Sequence, residues 1–147
     1  MSYQHVQKGY LHWVLYASAL VTLAMLGFPQ IPTVMIIVVI GAAMLLVVFG
    51  LSFKTMAVAD EGDQLSVRYG PIPLFHKRLA YEFISDAHPA RSRWIDGWGI
   101  HYFFGRGWTY NLWGFDCVEF QYKGRPCRIG TDDVQGLADW LRSKVKE

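Results

Sequence analysis

The sequence predicts an apolar helical hairpin followed by a mainly-β domain that ends in one helix. Three observations lead to this fold class. Residues Gly9–Phe53 contain no Lys, Arg, Asp or Glu, short runs of alternating apolar residues fill most of the remaining chain, and one amphipathic stretch comes last. We therefore divide the chain into an N-terminal segment (1–9), a hairpin (10–53) and a domain (54–147).

The uncharged run is long enough for two membrane-spanning helices, since about 20 apolar residues cross a bilayer. Gly27, Pro29 and Pro32 interrupt it. Proline lacks the backbone donor and restricts the residue before it, so a turn is expected here. The predicted spans are about 10–28 and 32–53.

The charges suggest how the hairpin is oriented. Lys8 is the only one of 14 basic residues before the run, and all 12 acidic residues follow it. Lys8 and Lys54 flank the outer ends, which favours a cytoplasmic location for both termini and for the domain. The nearly neutral domain argues against nucleic-acid binding, which requires a basic surface.

Small residues on the two predicted helices indicate where helices pack closely. Ala17, Ala24 and Gly27 share one face of the first helix, and Gly41 lies in the middle of the second. We interpret these positions as packing the hairpin on itself. The alternative is that one face binds a partner helix.

The segment after Lys54 has the pattern of about seven short strands followed by a helix. Glu61-Gly62-Asp63-Gln64 and Lys123-Gly124 are typical of turns between strands, and Thr131 is a good helix N-cap. Val134, Leu137, Ala138, Leu141 and Val145 form the apolar face of the final helix. Seven strands and one helix is the order of a pleckstrin-homology-like barrel. A five-stranded OB-like barrel is the second choice.

Three stretches carry a family resemblance: D-G-W-G-I-H at 96–101, G-R-G-W-T-Y-N-L-W-G-F-D-C-V-E at 105–119 and I-G-T-D-D at 129–133. The chain resembles small bacterial integral membrane proteins with a helix pair followed by one pleckstrin-homology-like domain. The resemblance implies that fold and the inner membrane of a bacterium, and it implies no catalytic residue.

One loop is expected to meet the bilayer. The acids of Asp60-Glu61-Gly62-Asp63 disfavour phosphoinositide binding at the first strand turn. The next loop returns toward the hairpin, where its side chains can enter the interface and contact anionic phosphates. The alternative is that Ile72, Leu74 and Phe75 cover the end of the barrel. The predicted membrane-interface residues are Ile72, Leu74, Phe75, Lys77 and Arg78.

A dense aromatic stretch lies between residues 94 and 115, and much of it is expected to fill the core of the domain. Alternation along paired strands places some of its rings on the outer face, which predicts a protein interface because exposed aromatic patches mark such surfaces. The candidate partner surface consists of Trp94, Trp98, Arg106, Trp108 and Trp113. This pattern favours a membrane-anchored binding or scaffolding protein, an accessory subunit that contacts another membrane protein or a second copy of itself.

The sequence contains little evidence of metal binding or catalysis. The five histidines lack metal-ligand spacing, and no Cys-x-x-Cys, Gly-x-Ser-x-Gly or phosphate-binding loop is present. We therefore expect no metal, no cofactor and no enzymatic activity. The alternatives are a module that binds the lipid bilayer on its own and, third, a membrane enzyme of unknown reaction.

Overall fold

The computed structural model describes residues 2–94 and 98–145. Asp96 and Gly97 of the family-like stretch therefore lie outside the described residues. The helices and strands follow in this order: β1 (Gln4–Lys8), α1 (Leu11–Ala24), α2 (Thr33–Ser52), β2 (Thr55–Asp60), β3 (Gln64–Gly70), β4 (His76–Ala80), β5 (Ile84–Arg91), β6 (Gly99–Phe103), β7 (Gly107–Asn111), β8 (Asp116–Tyr122), β9 (Arg125–Gly130) and α3 (Val134–Lys144). Short 3₁₀ turns at Met25–Gly27 and Tyr81–Phe83 extend α1 and precede β5.

The first sheet is antiparallel in the order β1-β2-β3-β4. The predicted β2–β3 hairpin is confirmed, with Asp60 opposite Leu65 and Gly62 in the left-handed conformation at the turn. Its alternating apolar residues all face the core: Met56, Val58, Leu65, Val67 and Tyr69. Strand β1 was not expected. It pairs with β2 along its whole length, so the N-terminal segment belongs to the same sheet as the residues after the hairpin.

The second sheet has the order β5-β8-β9-β7-β6 and contains one parallel pair, β7 with β9. The predicted Lys123-Gly124 turn between β8 and β9 is confirmed, with both residues at positive φ. Among the described residues, eight strands (β2 to β9) follow the hairpin rather than about seven. The domain is mainly β, as predicted, but its two sheets do not close into a barrel.

Helix α3 packs on β5 and β8, which confirms the C-terminal helix and its apolar face. Leu137, Ala138 and Leu141 are fully buried. The N-cap differs from the prediction, because Asp133 accepts the backbone N–H of Gly136 at 3.2 Å. The predicted cap, Thr131, instead accepts the backbone N–H of Asp133 at 3.1 Å. Thr and Asp are both good N-cap residues, so the residue that caps α3 depends only on where its first turn begins.

The helices α1 and α2 pack on each other through other residues than those predicted. Ala17, Ala24, Gly27 and Gly41 are all exposed, which corrects the expectation that they bring the two helices together. The contact face consists of His12, Ala19, Val39, Ala43 and Gly50, all buried. At Gly50 the helices approach so closely that an added Cβ would meet the ring of Tyr16. Several faces of these helices carry small residues, so spacing alone does not identify the packed face. Docking of a partner helix on the exposed face stays a prediction.

Candidate functional site

The helical hairpin exposes a large apolar surface. By length and composition, α2 can cross a membrane, and only 17% of its apolar window is buried. The first helix, Leu11–Gly27, is apolar but shorter than the span expected from the sequence. Large side chains such as Leu20, Val34 and Ile37 point away from the protein. Exposure of this extent is unusual for the core helix of a soluble domain, which packs its apolar face.

Both helices leave the domain at the same place. The strand before α1 and the strand after α2 are hydrogen-bonded neighbours, with Lys8 opposite Thr55. Beyond that pair, the backbone N–H of Gly9 donates to the carbonyl oxygen of Lys54 at 3.1 Å. The hairpin therefore begins and ends at one edge of the first sheet, and its turn lies at the far end of the two helices.

Aromatic rings surround the base of the hairpin. The Tyr10 ring, just before α1, contacts the Trp113 ring edge-on at 5.6 Å between centroids, and Trp113 stacks on Trp98 at 4.2 Å. The Gln7 side chain donates to the backbone oxygen of Trp113 at 3.0 Å. On the other side of the base, the Phe53 ring lies 5.2 Å from Phe75. Two loops of the domain thus place aromatic side chains level with the end of the helices.

The predicted membrane-interface loop divides into two parts. Phe75 is half-buried against the last turns of α2, and Ile72 is half-buried. Leu74 is 52% exposed beside them. The ring contacts of Phe75 with Phe49 and Phe53 place this part of the loop beside the hairpin base, and its contact with a bilayer stays a prediction.

The two cations of that prediction lie farther along β4 and on opposite faces. Arg78 donates from Nε to Glu61 Oε2 at 3.0 Å, on the outer face of the first sheet. Lys77 points to the inner face, beside Leu79 and Trp108. The alternation of side chains along a strand separates two neighbours that a loop would have kept together. Arg78 is therefore removed from the candidate interface.

The five residues of the predicted partner surface do not form one patch. Trp98 and Trp113 stack at the hairpin base, whereas Trp108 lies 5.2 Å from Tyr102 on the β6–β7 hairpin. Trp94 is 81% exposed and precedes β6, outside the β6–β7 hairpin. Arg106 is half-buried in the β6–β7 turn, and its backbone oxygen accepts a bond from Arg128.

Phe104, which the predicted partner surface did not include, lies at the tip of the β6–β7 hairpin. Phe104 is 97% exposed, and Tyr102 and Phe103 beside it are also exposed. Gly105 and Gly107, both at positive φ, form the turn. The sequence signal for this exposure is an aromatic residue directly before a Gly-x-Gly turn. A side chain at the tip of such a turn lies too far from the core to be buried. We call Tyr102, Phe103 and Phe104 the aromatic tip.

The titratable side chains mainly make contacts that hold the fold together. His5 pairs with Asp132, and His76 bonds the Ser66 hydroxyl at 3.1 Å. No group of three metal-ligating side chains occurs within residues 2–94 and 98–145. Both cysteines are buried. Burial raises the pKa of Cys127 to about 12, outweighing the opposite effect of the Lys77 and Arg128 charges, so its thiol is protonated at neutral pH.

Comparison of the chain with protein-family models, with curated proteins and with solved structures finds no match. The structure itself defines the class: a mainly-β domain of two sheets with an exposed apolar helical hairpin inserted between its first two strands.

Proposed function

We propose that this chain is a non-enzymatic binding protein anchored in the membrane by its hairpin. The pairing of β1 with β2 carries the proposal. Because strands on either side of the hairpin belong to one sheet, the chain must enter the bilayer and return to the same side. Helices of 17 to 20 residues are about 25 to 30 Å long, which matches the hydrocarbon core.

The proposal places the domain and both termini in the cytoplasm of a bacterium. Lys8 and Lys54 lie at the hairpin base and support this orientation.

Likeness to the pleckstrin-homology-like family belongs to the same proposal. It is supported by the order of strands followed by one packed helix, whereas the parallel β7–β9 pair and the open barrel are departures from that fold.

The domain acts as an accessory subunit that binds another membrane protein through the aromatic tip. An exposed Phe on a tight turn, with two exposed aromatic neighbours, is a suitable anchor for a partner pocket. Purification from native membranes in mild detergent, with quantitative mass spectrometry, tests this. We expect a stoichiometric membrane protein with the parent chain and its loss from Phe104→Ser.

Trp94→Ser is the matched control, because it removes an aromatic side chain of similar exposure that lies outside the β6–β7 hairpin. It should retain the partner. Recovery of a single homo-oligomer would make a second copy the partner, and recovery of a monomer from the parent chain would contradict the accessory-subunit proposal.

A second candidate function is a module that binds the lipid surface on its own. The aromatic residues around the hairpin base favour it, since Trp and Tyr concentrate at the membrane–water interface. In this reading Leu74 enters the interface. Leu74→Ser in the full chain should then increase the protease sensitivity of the loop in liposomes, and equal cleavage rates would exclude the reading.

A further inference from the structure

The two sheets separate on one side of the domain and leave a groove. Two clefts of about 320 and 280 Å³ open between β4 and the inner face of the second sheet. They share Lys77, Trp108 and Tyr110, so they are continuous. β4 is the last strand of its sheet and β6 the last of the other, so none of the described strands closes this side. We call the combined space the inter-sheet groove. Its size suits a small ligand.

One end of the groove is cationic. Lys77, Lys123 and Arg125 line it, and none of the lining residues that the structure describes is an Asp or Glu. Within the described part of the chain, no carboxylate forms an ion pair with any of these three. The Lys123 ammonium instead lies over the Phe83 ring, 4.4 Å from its centroid. Three unneutralised cations around an aromatic cleft favour an anion.

The other end of the groove is apolar and opens at the hairpin base. Leu74 and Phe75 line it. The Phe75 ring lies 6.3 Å from Phe49, in the last turns of α2. Lys77, in β4, is two residues farther along the extended chain than Phe75, or about 7 Å. An amphiphile with its charged group at Lys77 would therefore direct its chain toward the membrane-spanning helices.

We propose that the inter-sheet groove binds the phosphate and the adjoining carbons of one anionic phospholipid, whose remaining hydrocarbon stays in the bilayer. Lys77, Lys123 and Arg125 hold the phosphate, while Leu74 and Trp108 contact the hydrocarbon. The inference rests on the proposed membrane position of the hairpin and names a ligand that the proposed partner binding does not require. Lys77 also has a purely structural interpretation, because an inward charge on an edge strand prevents edge-to-edge association. That interpretation predicts no ligand.

The test uses the full chain in an uncharged detergent. It is titrated with short-chain phosphatidylglycerol, with phosphatidylcholine of the same chain length, and with glycerol phosphate, which lacks the chain. Native mass spectrometry counts bound molecules across the titration and gives the Kd. We expect one saturable equivalent of phosphatidylglycerol and binding at least about tenfold weaker for the other two probes.

Combining Lys77→Gln with Arg125→Gln should weaken phosphatidylglycerol binding by about tenfold or more, since two of three cations are lost. Arg78→Gln is the matched control, because it removes a charge from the adjacent residue on the opposite face of β4. Arg78→Gln and the charge-retaining Lys77→Arg should bind as the parent does. Should the double variant fail to fold, the single variants are compared.

Three results would overturn the proposal: absence of saturable phosphatidylglycerol binding, equal affinity for glycerol phosphate, or unchanged affinity in the charge-removed variants. Each leaves the membrane anchor unaffected. Failure of the anchor is recognised separately, by a hairpin that does not cross the membrane.

Discussion

Among single residues, Arg128 shows how the second sheet holds a largely buried charge. Its Nε donates to Glu119 Oε2 at 2.5 Å and its Nη1 to the backbone oxygen of Arg106 at 3.0 Å. The side chains of Arg128 and Glu119 are only 11% and 25% exposed. Removing one partner of such a pair leaves a poorly solvated charge, which costs more than the pair itself contributes.

We expect Glu119→Ala to lower the free energy of unfolding by about 2 kcal/mol, a value reduced for the partial exposure of the pair. Asp116→Ala is the control on the same strand. Its partner Arg91 lies 3.7 Å away, and the two side chains are 75% and 66% exposed, so the loss should stay below about 1 kcal/mol. Denaturant titration of the three chains measures the difference. Equal losses would show that burial of Arg128 does not matter.

Residue patterns predicted the turns and the buried positions of regular strands. They did not predict which face of a strand a side chain takes near the irregular start of that strand. Leu65, Val67 and Tyr69 follow a period of two on a hairpin, and all three are buried as expected. Lys77 and Arg78 were assigned to one loop, whereas the strand sends them to opposite faces. The start of that strand depends on its pairing with β3, which a local pattern does not contain.

At the scale of elements, strand β1 extends the domain to include the N-terminal segment, which precedes the hairpin in the chain. It covers one side of β2, Tyr3 beside it donates to Asp133 at 3.1 Å, and His5 pairs with Asp132. The N-terminus is thus held at both the first sheet and the start of α3. Without it, β2 becomes an edge strand with unpaired backbone groups, which promotes aggregation.

A soluble form of the domain should therefore require β1. Because Gly9 and Lys54 are hydrogen-bonded, a short Gly/Ser turn can replace the hairpin and join residues 2–9 to 54–147. We expect this chain to be monomeric and folded, and the fragment 54–147 alone to aggregate or melt at lower temperature. Size-exclusion chromatography and thermal unfolding compare them. Equal behaviour would mean that β1 adds no stability.

At the scale of the whole molecule, sheet pairing dictates topology. The two ends of the hairpin lie side by side. In the proposed membrane-anchored form, the N-terminus and the domain therefore share one side of the membrane and the turn at 28–32 lies on the other. Gln30 lies in this turn and is exposed.

We expect a cysteine at Gln30 to react with an impermeant maleimide added from the periplasm, in a background where both native cysteines stay buried. A cysteine at Asp63, an exposed position in the β2–β3 turn, should react only after the membrane is opened. Labelling of both from outside would contradict cytoplasmic placement, and labelling of neither in intact cells would contradict a spanning hairpin.

The sequence by itself determined the apolar hairpin, the mainly-β domain and the C-terminal helix, because these follow from local hydrophobic period, turn residues and the absence of charge over a long run. Tertiary structure alone decided three features: the return of β1 to β2, the parallel pairing of β7 with β9, and the groove between the sheets. Each joins segments far apart in the chain. Their free energy comes from contacts that no single segment contains, so local patterns cannot specify them.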